Sequence, residues 1–197
     1  MKKFCRHTLI ASILLVCSFG ARAGFDEGMA AYAKGEFPIA FNEFKQAAES
    51  GDVYAEYNLG VMYGLGQGVR KNEEVAAQWY KKAADKGFVA AQYSLGVAYE
   101  EAMGVWRDEA VAFEWYRKAA EQDYPRAQLN LGLMYVRGQS VQPDIVQAYK
   151  WFHLAALSGD KLAERNCNHA EKKMTKRQIE QAIELASQWQ PKLAKKM

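Results

Sequence analysis

The stretch WYKKAADKG, residues 79–87, returns twice along the chain at a step of 36 residues. It comes back as WYRKAAEQD at residues 115–123 and as WFHLAALSG at residues 151–159. A second block keeps the same step, with AEYNLGVMYG from residue 55, AQYSLGVAYE from residue 91 and AQLNLGLMYV from residue 127. Self-similarity at a fixed period of this length is the sequence signature of a repeat architecture.

Each copy of the repeat predicts two helices. In the first copy, Ala55, Leu59 and Tyr63 follow the spacing of an apolar helix face, and GLGQGV then ends that helix. Asn72 stands where the second helix needs an N-cap, whose side-chain oxygen accepts a free backbone amide. Gly87 suits the left-handed backbone that closes a helix. The positions predicted to form the repeated core are Leu59, Tyr63, Trp79, Leu95, Tyr99, Trp115, Leu131, Tyr135 and Trp151.

The chain divides into three full repeats with an incomplete one at each end. The full repeats are predicted over residues 55–90, 91–126 and 127–162. Degenerate copies at residues 24–54 and 163–190 predict capping repeats, because a regular repeat would leave an apolar face open at each end. Thr175 and Gln178 predict a capping box at the start of the last helix. Residues 191–197 form a basic tail.

The first 23 residues predict a Sec-type signal peptide. A basic start, MKKFCRH, precedes the apolar run TLIASILLVCSFG, and residues 21–23 form a small-x-small cleavage site. We therefore expect export to the periplasm or, alternatively, secretion. Without this segment the chain has 22 basic and 23 acidic residues and one cysteine, Cys167. Cys167 takes the place of Leu59 in the repeat, which predicts a small core residue.

The combined pattern, A-x3-LG-x2-Y followed by G-x-GV-x2-D/N-x3-A-x2-W-x3-AA-x2-G, resembles the Sel1-like repeat, a relative of the tetratricopeptide repeat. The third copy departs from it with a serine at the second loop glycine, and the second copy with Asp123 at the closing glycine. The resemblance implies an all-α fold, a right-handed α-solenoid of antiparallel helix pairs. It also implies a non-enzymatic scaffold or adaptor that binds other proteins, in bacteria often in the periplasm.

In solenoids of this type the first helix of each pair usually lines the concave surface. We predict a protein or peptide partner on that surface, at positions that recur on these helices away from the face of Leu59 and Tyr63. Apolar members of the set have an alternative role in packing against the adjacent repeat. Asn58 and Asn130 are the better candidates, since an amide can hydrogen-bond to a peptide backbone or a carboxylate. The predicted partner-binding residues are Tyr57, Asn58, Val61, Tyr93, Ser94, Val97, Leu129, Asn130 and Leu133.

Other classes of function find little support in the sequence. No catalytic residue, metal ligand or cofactor is predicted, because His153 and His169 have no cysteine or carboxylate at metal-ligand spacing. The tetrapeptide SGDK at residues 158–161 matches the S-x-x-K motif of serine β-lactamases. Gly159 interrupts it, however, and the partner motifs S-D-N and K-T-G are missing. The alternative function is a cell-wall-directed hydrolase or a binder of peptidoglycan or β-lactams.

Charge argues against a nucleic-acid partner. Residues 24–160 carry 19 acidic and 13 basic residues, whereas phosphate binding depends on many cationic contacts. The last 37 residues are basic, with 9 basic and 4 acidic side chains. This basic C-terminal part, which ends in the tail of residues 191–197, predicts at most a weak contact with anionic lipid or an acidic protein, and its alternative role is that of a solvated chain end.

Overall fold

The computed structural model describes residues 24–189 and 191. The predicted signal peptide lies outside the described residues, as does nearly all of the basic tail. Every regular element in the described part of the chain is a helix, and short turns join the helices. Contacts between the helices divide the chain into two compact units, the first ending at Lys86 and the second beginning at Gly87. The predicted all-α fold of consecutively packed helix pairs, of the α-solenoid type, is confirmed.

The first unit contains four helices between residue 24 and Lys86, the part of it that the structure describes. They are α1 at residues 24–33, α2 at Phe37–Glu49, α3 at Val53–Leu65 and α4 at Glu73–Asp85. Helix α3 packs against both α2 and α4. The core of this unit is formed by Phe44, Leu59 and Met62 with small alanines between them. Alanine-rich faces let the helices approach closely, so the large side chains can interlock.

The described residues of the second unit, from Gly87 onward, contain six helices. They are α5 at Val89–Glu101, α6 at Glu109–Ala120, α7 at Pro125–Arg137, α8 at Ile145–Leu157, α9 at Lys161–Glu171 and α10 at Lys176–Ser187. Consecutive helices pack against one another from α5 to α9, and α10 returns to α8. The predicted capping box is present, with Thr175 and Gln178 bonding to each other's backbone amides at the start of α10. The last helix pair therefore covers the apolar face that α8 would otherwise expose.

Helix boundaries follow the residues that the repeat predicts. The Asn72 side chain accepts the Val75 amide at 3.1 Å and caps α4. Asp108 and Asp144 cap α6 and α8 in the same way. A left-handed residue ends each first helix of a full repeat, and it is glycine in two cases but Ala102, with φ of 59°, in the other.

A glycine in each first helix makes room for a ring of the second helix. A methyl group at Gly60 would lie 2.5 Å from the Tyr80 ring, and one at Gly96 would lie 2.6 Å from the Tyr116 ring. The third repeat has the same arrangement between Gly132 and Phe152. These distances are far below van der Waals contact. The glycine of the repeated LG pair is thus required by the close approach of an aromatic ring.

Lysine side chains cover the repeated tryptophans. The Lys82 Nζ lies 3.7 Å from the centre of the Trp79 ring, and the Lys118 Nζ lies 3.8 Å from that of Trp115. In the third repeat the equivalent lysine is absent, and the Lys150 Nζ lies 4.4 Å from the centre of the Trp151 ring. An ammonium group over an indole face is attracted by the electron density of the ring. Each of the three repeated tryptophans therefore has a lysine ammonium group near its ring, although the lysine comes from a different position in the third repeat.

Candidate functional site

Of the nine residues predicted as the repeated core, five are buried and four are half-buried. Leu59, Leu95 and Leu131 are buried, as are the tryptophans at 115 and 151. Trp79 and the three tyrosines are half-buried, with one edge in the core; these tyrosines are Tyr63, Tyr99 and Tyr135. The candidate binding site is therefore sought outside these core positions, on the surface of the first helices.

Most of the predicted partner-binding positions lie at the boundary between core and solvent. The ring of Tyr57 packs on Tyr80 at 5.7 Å, and that of Tyr93 lies 5.8 Å from the Tyr116 ring. The half-buried aliphatic positions are Val61, Val97 and Leu133. Leu129 is buried in the core of the second unit. Its side chain packs there, which fits the alternative role in packing given above for the apolar members of the set.

The two predicted amides have internal hydrogen bonds in the structure. Asn58 Nδ2 donates to the backbone oxygen of Tyr54 at 2.8 Å, one turn earlier in α3. Asn130 hydrogen-bonds to the Tyr116 hydroxyl, which itself donates to Glu100 Oε2 at 2.6 Å. This chain of bonds joins α5, α6 and α7. A partner that used Asn130 would therefore have to compete with Tyr116, whereas Asn58 competes only with a backbone bond within its own helix.

The environment of Tyr116 keeps its phenol neutral. Burial raises the pKa of Tyr116 most strongly, and the hydrogen bond to the Glu100 carboxylate raises it further. The hydrogen bond from Asn130 acts in the opposite direction on this pKa. A neutral phenol donates a hydrogen bond to Glu100 and accepts one from Asn130. The direction of each hydrogen bond is thus fixed, and the Asn130 amide is held in place by its bond to Tyr116.

A buried polar position recurs in the repeats, and sequence reasoning missed it. Glu56, Gln92 and Gln128 occupy equivalent sites near the start of each first helix, and all three are buried. Gln122 donates to Gln92 Oε1 at 2.7 Å, and in the first repeat Lys86 takes the place of Gln122 and pairs with Glu56 at 2.8 Å. The recurrence at the repeat step was a usable signal, because a polar residue conserved between copies inside an apolar pattern indicates a satisfied contact.

Removing the partner of Glu56 should destabilise the first unit. The Glu56 side chain is only 6% exposed and its Oε2 has no hydrogen-bond partner, so Lys86 supplies the compensating charge. We expect Lys86→Ala to lower the free energy of unfolding by roughly 1–2 kcal/mol, because a buried acceptor is left without its partner. The double variant Glu56→Gln with Lys86→Gln recreates the pair of the second repeat and should stay near the wild type. Urea denaturation measures both, and equal losses in the two variants would contradict this account.

The reactive side chains outside the first helices of the full repeats are engaged in packing or lie in a turn. Burial raises the pKa of the Cys167 thiol to about 11, so it is protonated at neutral pH. The His153 ring stacks on Tyr149 at 6.0 Å. Helix α8 ends before Ser158 and α9 starts at Lys161, with Gly159 between them in the left-handed region. Ser158 and Lys161 therefore do not share a helix face, as the S-x-x-K chemistry would require.

Among the described residues there is neither a cluster that could hold a metal ion nor a helix that could span a membrane. In that part of the chain no three His, Cys, Asp or Glu side chains come close enough together to hold a metal ion. Within the same residues, no helix combines the length and apolar character needed to cross a bilayer.

Comparison with known proteins identifies the repeat. The Sel1 repeat family matches residues 53–88, 89–124 and 125–160, each match starting two residues before the repeat predicted here. No curated protein gave a match.

Solved structures share the fold. A protective antigen, c5321, from uropathogenic Escherichia coli displays an SLR fold and is 41% identical, with a TM-score of 0.72. The match covers 79% of this chain and 33% of that one. A Sel1 repeat protein from Oxalobacter formigenes is 34% identical with a TM-score of 0.70, covering 73% of this chain and 57% of that one. MamA, at 21% identity and a TM-score of 0.54 over 84% of this chain and 87% of its own, is similar in fold alone. The chain thus spans about a third of the first of these proteins and just over half of the second.

Proposed function

The chain belongs to the Sel1 repeat family, and on that premise we propose that it is a non-enzymatic scaffold of the bacterial cell envelope that binds a protein or peptide through the first helices of its repeats. Sel1 repeats generally serve protein–protein interaction. The exported location rests on the signal pattern of residues 1–23. The proposed binding surface lies on α3 within the first unit and on α5 and α7 within the second, and each of these helices also contributes buried residues to the core of its own unit.

One observation carries the choice of this face. Tyr57 and Asn58 on α3, and Tyr93 and Ser94 on α5, are half-exposed neighbours that recur at the repeat step. Each pair places an aromatic ring beside a side chain that can donate and accept hydrogen bonds. An aromatic surface gives contact area with little loss of conformational freedom, and the polar neighbour gives orientation. This combination suits an extended peptide segment.

Site-specific crosslinking in living cells tests the proposed face. We expect a photo-crosslinking amino acid at Ser94 to give a discrete protein adduct, because this position lies on the proposed partner surface. The same amino acid at Lys81, on the exposed side of α4, is the control and should give none. The adduct at Ser94 should disappear when an excess of unlabelled wild-type protein competes. Equal adducts from both positions, or adducts that do not saturate, would overturn the choice of face.

Location and chemistry need separate measurements. Cell fractionation should recover the protein with periplasmic markers, and its first residue should be Gly24. A protein retained in the cytoplasm at full length would contradict the envelope assignment without bearing on the proposed binding face.

The alternative function, a cell-wall hydrolase or a binder of peptidoglycan or β-lactams, predicts a labelled-penicillin or muropeptide signal that Ser158→Ala abolishes. No feature of the Ser158 turn favours it.

A further inference from the structure

Helix α3 presents an uncharged stripe of side chains along one side. Tyr54 is 53% exposed and Leu65, near the other end of the helix, is 63% exposed. The half-buried residues between them on this side are Tyr57, Asn58 and Val61. At 3.6 residues per turn, these five positions fall within roughly 100° of one another around the helix axis and extend over about 16 Å. We call these five residues the α3 stripe.

Helix α1 widens the apolar surface at the Tyr54 end of the stripe. The Phe25 ring lies 5.7 Å from the Tyr54 ring, and Met29, one turn further along α1, is exposed. The Tyr57 ring packs on the Tyr80 ring of α4 at 5.7 Å. Rings that are already fixed by their neighbours lose little conformational freedom on binding. An exposed apolar surface of this kind is typical of an interaction site.

The absence of charge is particular to the first repeat. The single charged residue of α3 is Glu56, which is buried and already paired with a lysine. At the positions of Tyr54 and Leu65 the second repeat carries Ala90 and Glu101. The third repeat carries arginine at both positions. The α3 stripe is therefore the most apolar of the three equivalent surfaces.

Charged side chains flank the stripe with opposite signs at its two ends. Asp26 and Glu27 are exposed on α1, and Asp52 caps α3 by accepting the Ala55 amide. In the turn after α3, Arg70 and Lys71 are exposed, and Lys71 is paired with a glutamate. These charges do not select a partner of either sign for the stripe itself. Burying an unpaired charge against the stripe would be unfavourable, so an uncharged partner surface fits it best.

The size of the stripe suits a short peptide segment. A surface about 16 Å long and about 10 Å wide, one helix diameter, is far smaller than the roughly 800 Å² per partner that a stable dimer buries. An extended segment of about five or six residues spans about 16–20 Å, and its alternate side chains point to the same side. Asn58 donates to the Tyr54 backbone oxygen through Nδ2. The oxygen of the same amide can accept a backbone amide of a bound segment.

We propose that the α3 stripe binds an uncharged, extended segment of the partner that carries aliphatic or aromatic side chains at alternate positions. This inference rests on the proposed function and names the class of peptide that the first repeat accepts. The equivalent surfaces of the other two repeats carry charges and do not accept this segment. A membrane surface fits less well, because interfacial helices carry basic residues along their polar side and α3 has none.

Defined peptides test this proposal on the full mature chain. The probe is a fluorescein-labelled peptide of alternating serine and leucine, and its matched controls carry glutamate or lysine in place of every leucine. We expect fluorescence anisotropy to show binding of the leucine peptide alone. Tyr54→Ala combined with Leu65→Glu installs the residues of the second repeat and should weaken this binding at least about tenfold. Added salt should not weaken it, because no ion pair is involved.

Control variants separate the stripe from folding and from other exposed leucines. Leu157, at the end of α8, is 72% exposed, so Leu157→Glu should bind the leucine peptide like the wild type. Leu65→Glu should leave the melting temperature unchanged, because the side chain is exposed. The proposal is overturned if the leucine peptide does not bind, if a charged control binds as well, or if the double variant binds the leucine peptide equally.

Other occupants of the stripe give different results. A dimer in sedimentation that Leu65→Glu abolishes would assign the stripe to a second copy of the chain and overturn the proposal. Binding to phosphatidylcholine vesicles that Leu65→Glu abolishes would assign it to lipid and overturn it as well. A specific adduct at Ser94 without binding of the leucine peptide would overturn this inference alone. Equal adducts at Ser94 and Lys81 would instead overturn the proposed function.

Discussion

Replacing Tyr116 with alanine is expected to lower the free energy of unfolding of the second unit by about 3–5 kcal/mol, the usual cost of truncating a large buried aromatic side chain. The Tyr116 ring is fully buried and belongs to the largest core cluster of that unit. The substitution leaves a cavity between α5, α6 and α7 and removes the hydroxyl to which both Glu100 and Asn130 bond. Both effects act in the same direction.

Chemical denaturation followed by far-UV circular dichroism measures this loss. Tyr116→Phe is the matched variant, since it keeps the ring and removes only the hydroxyl; it should cost about 0.5–1.5 kcal/mol. The third repeat already carries phenylalanine, Phe152, at this position. Trp106→Ala is a second control and should change stability by less than about 0.5 kcal/mol, because the side chain is exposed. If Tyr116→Ala were as mild as Tyr116→Phe, the ring would not be holding the three helices together.

The hydrogen-bond network at Tyr116 also shows where sequence reasoning reached its limit. Period and spacing predicted the helix pairs, the N-caps and the ring positions, because each of these depends on a local rule repeated in every copy. Asn58 and Asn130 were predicted as equals on the same grounds. The structure distinguishes them, since only the second repeat places a glutamate, Glu100, where it orders the phenol that Asn130 contacts. The role of Asn130 depends on neighbours from three helices, so it produces no pattern at the repeat period.

Departures from the repeat were the second class of feature that sequence reasoning missed. Trp106, Met103 and Ala102 break the pattern in one turn, and a search for what recurs passes over them. They stand out by comparison with the other two full repeats, whose equivalent turn positions carry glycine, glutamine or arginine. In a repeat protein the pattern predicts the recurring residues, whereas the surroundings of a residue particular to one copy are visible only in the structure. The pair formed by buried Glu56 and exposed Lys86 differs again, because the two positions recur in the next repeat but carry Gln92 and Gln122 there.

Introducing a methyl group at Gly96 is the second large perturbation that the structure predicts. Gly96→Ala should lower the free energy of unfolding by about 2–3 kcal/mol, as overpacking of a close-packed core does. The added carbon would lie 2.6 Å from two atoms of the Tyr116 ring, and the ring is fully buried, so it cannot move aside without displacing α6. In an exposed helix the same change would be favourable by about 0.5–1 kcal/mol, because glycine has the larger backbone entropy.

Gly64 provides the matched control because it occupies a helix in the same kind of repeat with space around it. A methyl group there would lie 3.7 Å from the Tyr80 hydroxyl, which is ordinary contact, so Gly64→Ala should raise stability by about 0.5–1 kcal/mol. The opposite signs of the two alanine variants in denaturation curves separate the steric effect from helix propensity. Replacing the Tyr116 ring with a smaller side chain should relieve the clash. Gly96→Ala should therefore lower the free energy of unfolding by less in a Tyr116→Leu background. Equal costs in both backgrounds would mean that the glycine serves the backbone of α5 and not the ring that packs on it.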